Sequence, residues 1–92
     1  MSARETLRER IKRKLTAAFQ PSELELIDDS ARHEGHQPDL QGAETHFKLR
    51  MISTAFNGMS SLERQRAVYA VLADEMKLHI HALSMDLQTP EQ

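Results

Sequence analysis

His79-Ile80-His81-Ala82-Leu83-Ser84-Met85-Asp86-Leu87 is the stretch whose reading decides how the rest of the chain is arranged. His81, Leu83, Met85 and Leu87 alternate with Ile80, Ala82, Ser84 and Asp86, the period of two of a pleated segment. The stretch therefore predicts a strand, and an imidazole leads its apolar stripe. Such an imidazole is either an ordinary polar residue at the edge of a core or a ligand, and spacing leaves both readings open.

Upstream of this strand, Ser60 and Glu63 have the spacing of a capping box, and a helix is expected from there to about Met76. Leu62, Val68, Tyr69, Val71, Leu72 and Met76 form its apolar stripe, with Glu63, Arg64, Gln65, Arg66, Asp74 and Glu75 facing outward. Ala55-Phe56-Asn57-Gly58 is a connector, in which Asn57 or Gly58 suits a positive φ. Glu44 to Thr54 predicts a second strand: Phe47, Leu49 and Met51 face the core, while most of His46, Lys48, Arg50 and Ile52 face solvent. Residues 31–43 lack periodicity and carry Gly35, Pro38, Asp39 and Gly42, so they form a long loop, which holds His33 and His36. Before it, Leu24 and Leu26 alternate with Glu23 and Glu25 in a short strand within 22–30, ended by Asp28-Asp29-Ser30. The chain starts with a helix in which Leu7, Ile11, Leu15 and Phe19 share one side; Ser2 and Glu5 have capping-box spacing and Pro21 stops it.

This order, helix-strand-strand-helix-strand, predicts an α+β domain spanning 1–92, with a tail that frays from about residue 89. Two helices would cover one face of a three-stranded mixed sheet. The first two strands are expected to be antiparallel, and the helical crossover permits a parallel third.

Ninety-two residues with 12 basic and 14 acidic side chains carry a formal charge of -2, which excludes a global basic field of the kind that draws a protein to nucleic acid. The sum hides an asymmetry. Arg4, Arg8, Arg10, Lys12, Arg13 and Lys14 face only Glu5 and Glu9 within the first helix, so any partner of that helix would be acidic; the simpler reading is a solvated surface. Cysteine is absent, which removes disulfides, thiol catalysis and self-contained thiolate metal sites. No run approaches the roughly 18 apolar residues of a membrane span, no secretory h-region opens the chain, and a cytoplasmic protein is expected.

Enzymatic signatures are missing. There is no G-x-S-x-G elbow, no Walker loop and no G-x-G-x-x-G turn, and Asp28-Asp29 fits a strand-ending turn better than a catalytic pair. The histidines remain. His33 and His36 in the loop and His79 and His81 at the last strand allow a two-imidazole site if loop and strand meet, but two imidazoles without a thiolate or carboxylate form an incomplete metal site that a partner must finish.

Four segments then carry a resemblance. Phe56-Asn57-Gly58-Met59-Ser60-Ser61-Leu62-Glu63-Arg64-Gln65-Arg66, Leu72-Ala73-Asp74-Glu75-Met76 with Ile80-His81-Ala82-Leu83, Asp28-Asp29-Ser30-Ala31-Arg32-His33, and Glu44-Thr45-His46-Phe47-Lys48 together resemble the BolA-like family, in order and over nearly the whole chain. The resemblance implies a class II KH-like α-β-β-α-β fold and a monothiol glutaredoxin partner. It further implies a two-iron, two-sulfur cluster shared in a heterodimer with that glutaredoxin and a glutathione, serving iron-sulfur trafficking or iron sensing. The chain alone would be a monomer that holds no cluster tightly. His81 matches the family's C-terminal histidine ligand and His33 its loop ligand, with His36 as the alternative. Mixed imidazole and thiolate ligation raises a cluster's potential and makes binding depend on pH. Gln65 stands where the family often has histidine. The family is also described as transcriptional regulators, for which Lys48, Arg50, Arg64 and Arg66 would be the phosphate contacts; yet no G-x-x-G clamp is present, because Met59, Ser60 and Ser61 follow Gly58.

Overall fold

The first helix, α1, spans Leu7–Phe19 and begins one residue after the side chain that caps it. In the computed structural model, which describes residues 5–28 and 46–91, Thr6 Oγ1 accepts the Glu9 N–H at 3.0 Å and the Glu9 carboxylate accepts the Thr6 N–H at 3.0 Å. Ser2, half of the expected box, lies outside the described residues; the box seen is formed by Thr6 and Glu9. Only Thr6 directly precedes the first apolar position, and Glu5 is instead engaged by Arg13 at 2.7 and 3.0 Å. Ile11, Leu15 and Phe19 are buried along one side. Gln20 closes the helix in the left-handed region at φ 45°, its N–H donating to the Thr16 carbonyl, and Pro21 prevents continuation.

Three strands follow: β1 (Glu23–Asp28), β2 (His46–Ile52) and β3 (Ala82–Gln88). They lie in the order β1-β2-β3, antiparallel between the first two and parallel between the last two. The register puts Leu24 beside Met51 and Leu26 beside Leu49, then Phe47, Leu49 and Met51 beside Leu83, Met85 and Leu87. All of these face the helices. Because the side-chain period is two, Glu23, Glu25, Ile27, Lys48, Arg50, Ser84 and Asp86 share the opposite, open face. The expected α+β architecture, a mixed sheet covered on one face by helices, is the one found. Asp29, Ser30, Glu44 and Thr45, expected at strand ends, lie outside the described residues.

Beyond β2 the chain turns through a short 3-10 segment, Thr54–Phe56. Ser53, 1% exposed, fastens this corner: its hydroxyl donates to the Phe19 carbonyl at 2.6 Å and accepts the Ala55 N–H at 3.0 Å. Phe19 and Phe56 pack with ring centroids 5.1 Å apart. Gly58 takes φ 79°, as the connector requires. The Ser60–Glu63 capping box forms as expected, opening α2 (Ser61–Val71).

The second helix departs from expectation in three ways. It is not continuous to Met76: Leu72, fully buried at φ -101° and ψ 22°, interrupts it, and a separate short helix α3 (Ala73–Leu78) follows. Its apolar stripe is narrower than the periodicity implied, since Leu62 and Tyr69 are exposed and Val68 and Leu72 carry the burial. Glu75 does not face solvent. It is fully buried, and Arg10 and Lys14 of α1 reach its carboxylate at 2.8 and 2.9 Å. A buried carboxylate demands such partners, so two bases taken for surface charge join the helices to each other.

At the other end, β3 starts at Ala82 rather than His79, because α3 extends through Leu78. Thr89, placed by the sequence at the head of a fraying tail, is 6% exposed. Ile11, Leu15, Phe19, Leu26, Phe47, Leu49, Met51, Phe56, Val68, Leu72 and Ile80 form one core. Full burial of each large apolar side chain contributes about 1.5–3 kcal/mol.

Candidate functional site

The site is assembled at the end of the sheet where β3 begins. The Glu75 carbonyl accepts N–H groups from both His79 and Ile80, each at 2.9 Å, which ends α3 and turns the chain toward the sheet. Ile80 is then driven into the core at 4% exposure. The next residue, His81, is exposed, and Ala82 enters the sheet opposite His46. A buried residue on one side and a paired strand on the other hold the backbone of His81 in place.

The parallel register brings a second imidazole to the same spot. His46, half-buried at the start of the central strand, lies with its ring edge-on to His81, the centroids 6.1 Å apart and the planes at 85°. The sequence reading left His46 among the solvated residues of its strand. Its signal was available only through pairing: once β2 and β3 run parallel from His46 and Ala82, the residues at that end must meet. His79, in contrast, caps α3 and is exposed. Residues 29–45, expected to be a long loop and carrying His33 and His36, lie outside the described residues; Asp28 and His46, which flank them, stand at the same end of the sheet as His81.

Glu75 supplies the electrostatic support for this corner. Burial pushes its carboxyl pKa up, but the Lys14 hydrogen bond, its own backbone N–H and the charges of Lys14 and Arg10 outweigh burial and hold it below the usual carboxylate range. Lys14 Nζ donates to both carboxylate oxygens, at 2.9 and 3.1 Å. The same residue therefore anchors α1 with its side chain and the approach to His81 with its carbonyl.

The four residues considered for phosphate contact do not form one surface. Lys48 and Arg50 lie on the open face of the sheet, where Arg50 pairs with Glu23 at 3.1 Å and approaches Asp86 at 3.9 Å. Arg64 and Arg66 belong to α2, across the sheet. Arg64, expected to face outward, is turned into the structure: it donates to the Leu87 carbonyl at 2.9 Å and the Met59 carbonyl at 3.2 Å, with its guanidinium 6.0 Å from the centre of the Phe56 ring. Arg66 is exposed. Among the described residues no group of three or more His, Cys, Asp or Glu side chains is placed to hold a metal ion, and no helix is long and apolar enough to cross a membrane.

A mixed three-stranded sheet backed by helices, with an exposed histidine just ahead of its parallel edge strand, defines a small α+β domain. The chain belongs to the BolA-like protein family, whose model matches residues 15–92. It is 45% identical over 83 residues to the "DNA-binding transcriptional regulator BolA" of Escherichia coli (strain K12), covering 90% of this chain and 75% of that protein. It is 40% identical over 82 residues to "BolA-like protein 1" of Homo sapiens, covering 89% of this chain and 57% of that one. Among solved structures, the BolA domain of SufE1 from Arabidopsis thaliana superposes with a TM-score of 0.81 at 42% identity, over 99% of this chain and 96% of that one.

Proposed function

We propose that this BolA-family chain acts as a partner protein in the cytoplasm, docking a monothiol glutaredoxin and completing the ligation of a two-iron, two-sulfur cluster held between them, in iron-sulfur trafficking or iron sensing. His81 is the ligand from the body of the domain, and His33, or His36 in its place, is the ligand from the loop. With no cysteine in the chain, the thiolates come from the glutaredoxin and a glutathione. The observation that carries the reading is the exposed His81 imidazole on an anchored backbone, at the sheet end where Asp28 and His46, the residues flanking the histidine-bearing segment, also stand.

The donor set fits such a cargo. Exposed imidazole suits a site that a second protein must reach, and imidazole is an established ligand to the iron of a two-iron, two-sulfur cluster. What the chain's own residues contribute is presentation: Ile80 fixes the depth of His81, and the Glu75 carbonyl fixes the turn before it. This is transfer or sensing without turnover, and catalysis forms no part of the proposal.

The test is spectroscopic. Adding this protein to cluster-loaded monothiol glutaredoxin should change the visible absorption and circular dichroism of the cluster, and His81→Ala should abolish the change. An unaltered spectrum with the unsubstituted protein defeats the cluster-sharing reading. Retained change after replacing both His33 and His81 would assign the ligands elsewhere.

The name of the Escherichia coli relative favours a second reading, a nucleic-acid-binding regulator. Exposed Lys48 and Arg66 are its best phosphate contacts, with Arg50 and Arg64 already engaged within the fold. A titration against salt decides it, since phosphate-driven affinity falls steeply as salt rises. Undetectable binding at low salt removes this reading for the isolated protein.

A further inference from the structure

An exposed histidine on a fixed backbone still has two side-chain torsions to settle, and a ligand whose ring points in many directions is a poor one. His81 has a neighbour suited to restricting them. The His46 ring meets it at 6.1 Å and 85°, within the separation and edge-to-face arrangement that aromatic rings favour. His46 is itself well mounted. It opens β2, the central strand, it pairs with Ala82, and the next residue, Phe47, is 2% exposed. The His46 ring comes from β2 and the His81 ring from the residue just before β3, so the β2–β3 register sets their separation.

We propose that His46 is a positioning residue: its ring, carried by the central strand, braces the His81 imidazole edge-on and keeps it in one orientation toward the partner. The inference rests on the role given above to His81 and deepens it. It assigns His46 a contact between rings and no coordination of its own. The requirement is an aromatic ring at position 46, so phenylalanine should serve and alanine should not.

The experiment compares His46→Ala with His46→Phe, first in the isolated protein and then with the glutaredoxin. In the isolated protein, nuclear magnetic resonance should show contacts between the ring protons of residues 46 and 81 and a restricted His81 ring; His46→Ala should release that ring and His46→Phe should restrain it again. With cluster-loaded glutaredoxin, His46→Ala should weaken the complex by about 2–10-fold, the scale of one aromatic pair, and His46→Phe should recover most of the loss. Thermal midpoints of both variants separate this effect from a general loosening of the fold. A phenylalanine variant as deficient as the alanine variant would overturn the proposal, because His46 would then act through a ring nitrogen. Unchanged His81 ring order in His46→Ala would overturn it as well. If the unsubstituted protein leaves the glutaredoxin spectrum unaltered, the cluster reading falls, while the ring measurements on the isolated protein still decide whether His46 braces His81.

Discussion

Lys14→Met tests the buried ion cluster that joins α1 to α3. Glu75 is fully buried, Lys14 is 26% exposed and Arg10 43%. Removing one member of a buried pair costs about 3–5 kcal/mol when the other is left alone. Here Arg10 remains at 2.8 Å, so the loss is set by the charge-assisted hydrogen bonds that Lys14 makes, about 1.5–3 kcal/mol. For a domain of this length each kcal/mol moves the thermal midpoint by about 4–8 °C, which predicts a fall of about 6–24 °C by calorimetry or circular dichroism. Adding Glu75→Met should return much of the loss, because the desolvated charge is then gone and the more exposed Arg10 can hydrate. The cluster also gives stability a pH dependence. The Glu75 pKa is lowered on folding, so its contribution is complete above the ordinary value of 4.5 and is lost as pH falls through the lowered one. Stability of the unsubstituted protein should therefore drop more steeply with acid than that of Glu75→Gln. A Lys14→Met midpoint no lower than that of Arg8→Met, which alters an exposed base of the same helix, would refute the reasoning.

Three further outcomes are expected. Ser60→Ala removes the hydroxyl that caps α2 and should cost about 1 kcal/mol in chemical denaturation, with an unchanged slope. Arg64→Ala should cost about 1.5–3 kcal/mol through its carbonyl contacts, whereas Arg66→Ala, at an exposed position, should leave the denaturation midpoint where it was. In a salt titration with duplex DNA, Lys48 and Arg66, which lie on opposite sides of the sheet, are expected to act one at a time rather than as one surface. Any binding through one of these residues at a time should therefore show a total log–log salt slope of about -1, far from the steep dependence of a protein with many contacts.

Most of the fold was legible because its signals are local. The period-two runs at Leu24–Leu26, Phe47–Met51 and Leu83–Leu87 marked three strands, and Ser60 with Glu63 marked a helix start. What stayed hidden depends on partners distant in sequence. Glu75 has the composition of a surface residue, and only the approach of Arg10 and Lys14, more than sixty residues earlier, makes its burial tolerable. Arg64 likewise finds the Leu87 carbonyl only after β3 is in place. The break at Leu72 left no mark either, since an apolar residue in a helical pattern does not announce an interruption. Of the candidate site, His81 could be selected by resemblance, while His46 needed the register of two parallel strands.

These hidden contacts converge on one place. From the helix side, the Glu75 side chain ties α3 to α1, and its carbonyl receives the two N–H groups just before His81. From the sheet side, β2 pairs with β3 from Ala82 onward and brings His46 against the ring. One support acts on the backbone of His81 and the other on its side chain, and they come from different elements. A histidine needed only for packing would not require both, because burial alone would fix it; His81 is exposed, and its position has to be set from behind. This supports the proposed role of His81 as a residue whose working contact lies in another molecule. It also predicts how the supports divide: weakening the ion cluster should loosen the turn at His79 and Ile80 in hydrogen exchange, and replacing His46 by alanine should free the ring while leaving those amides protected.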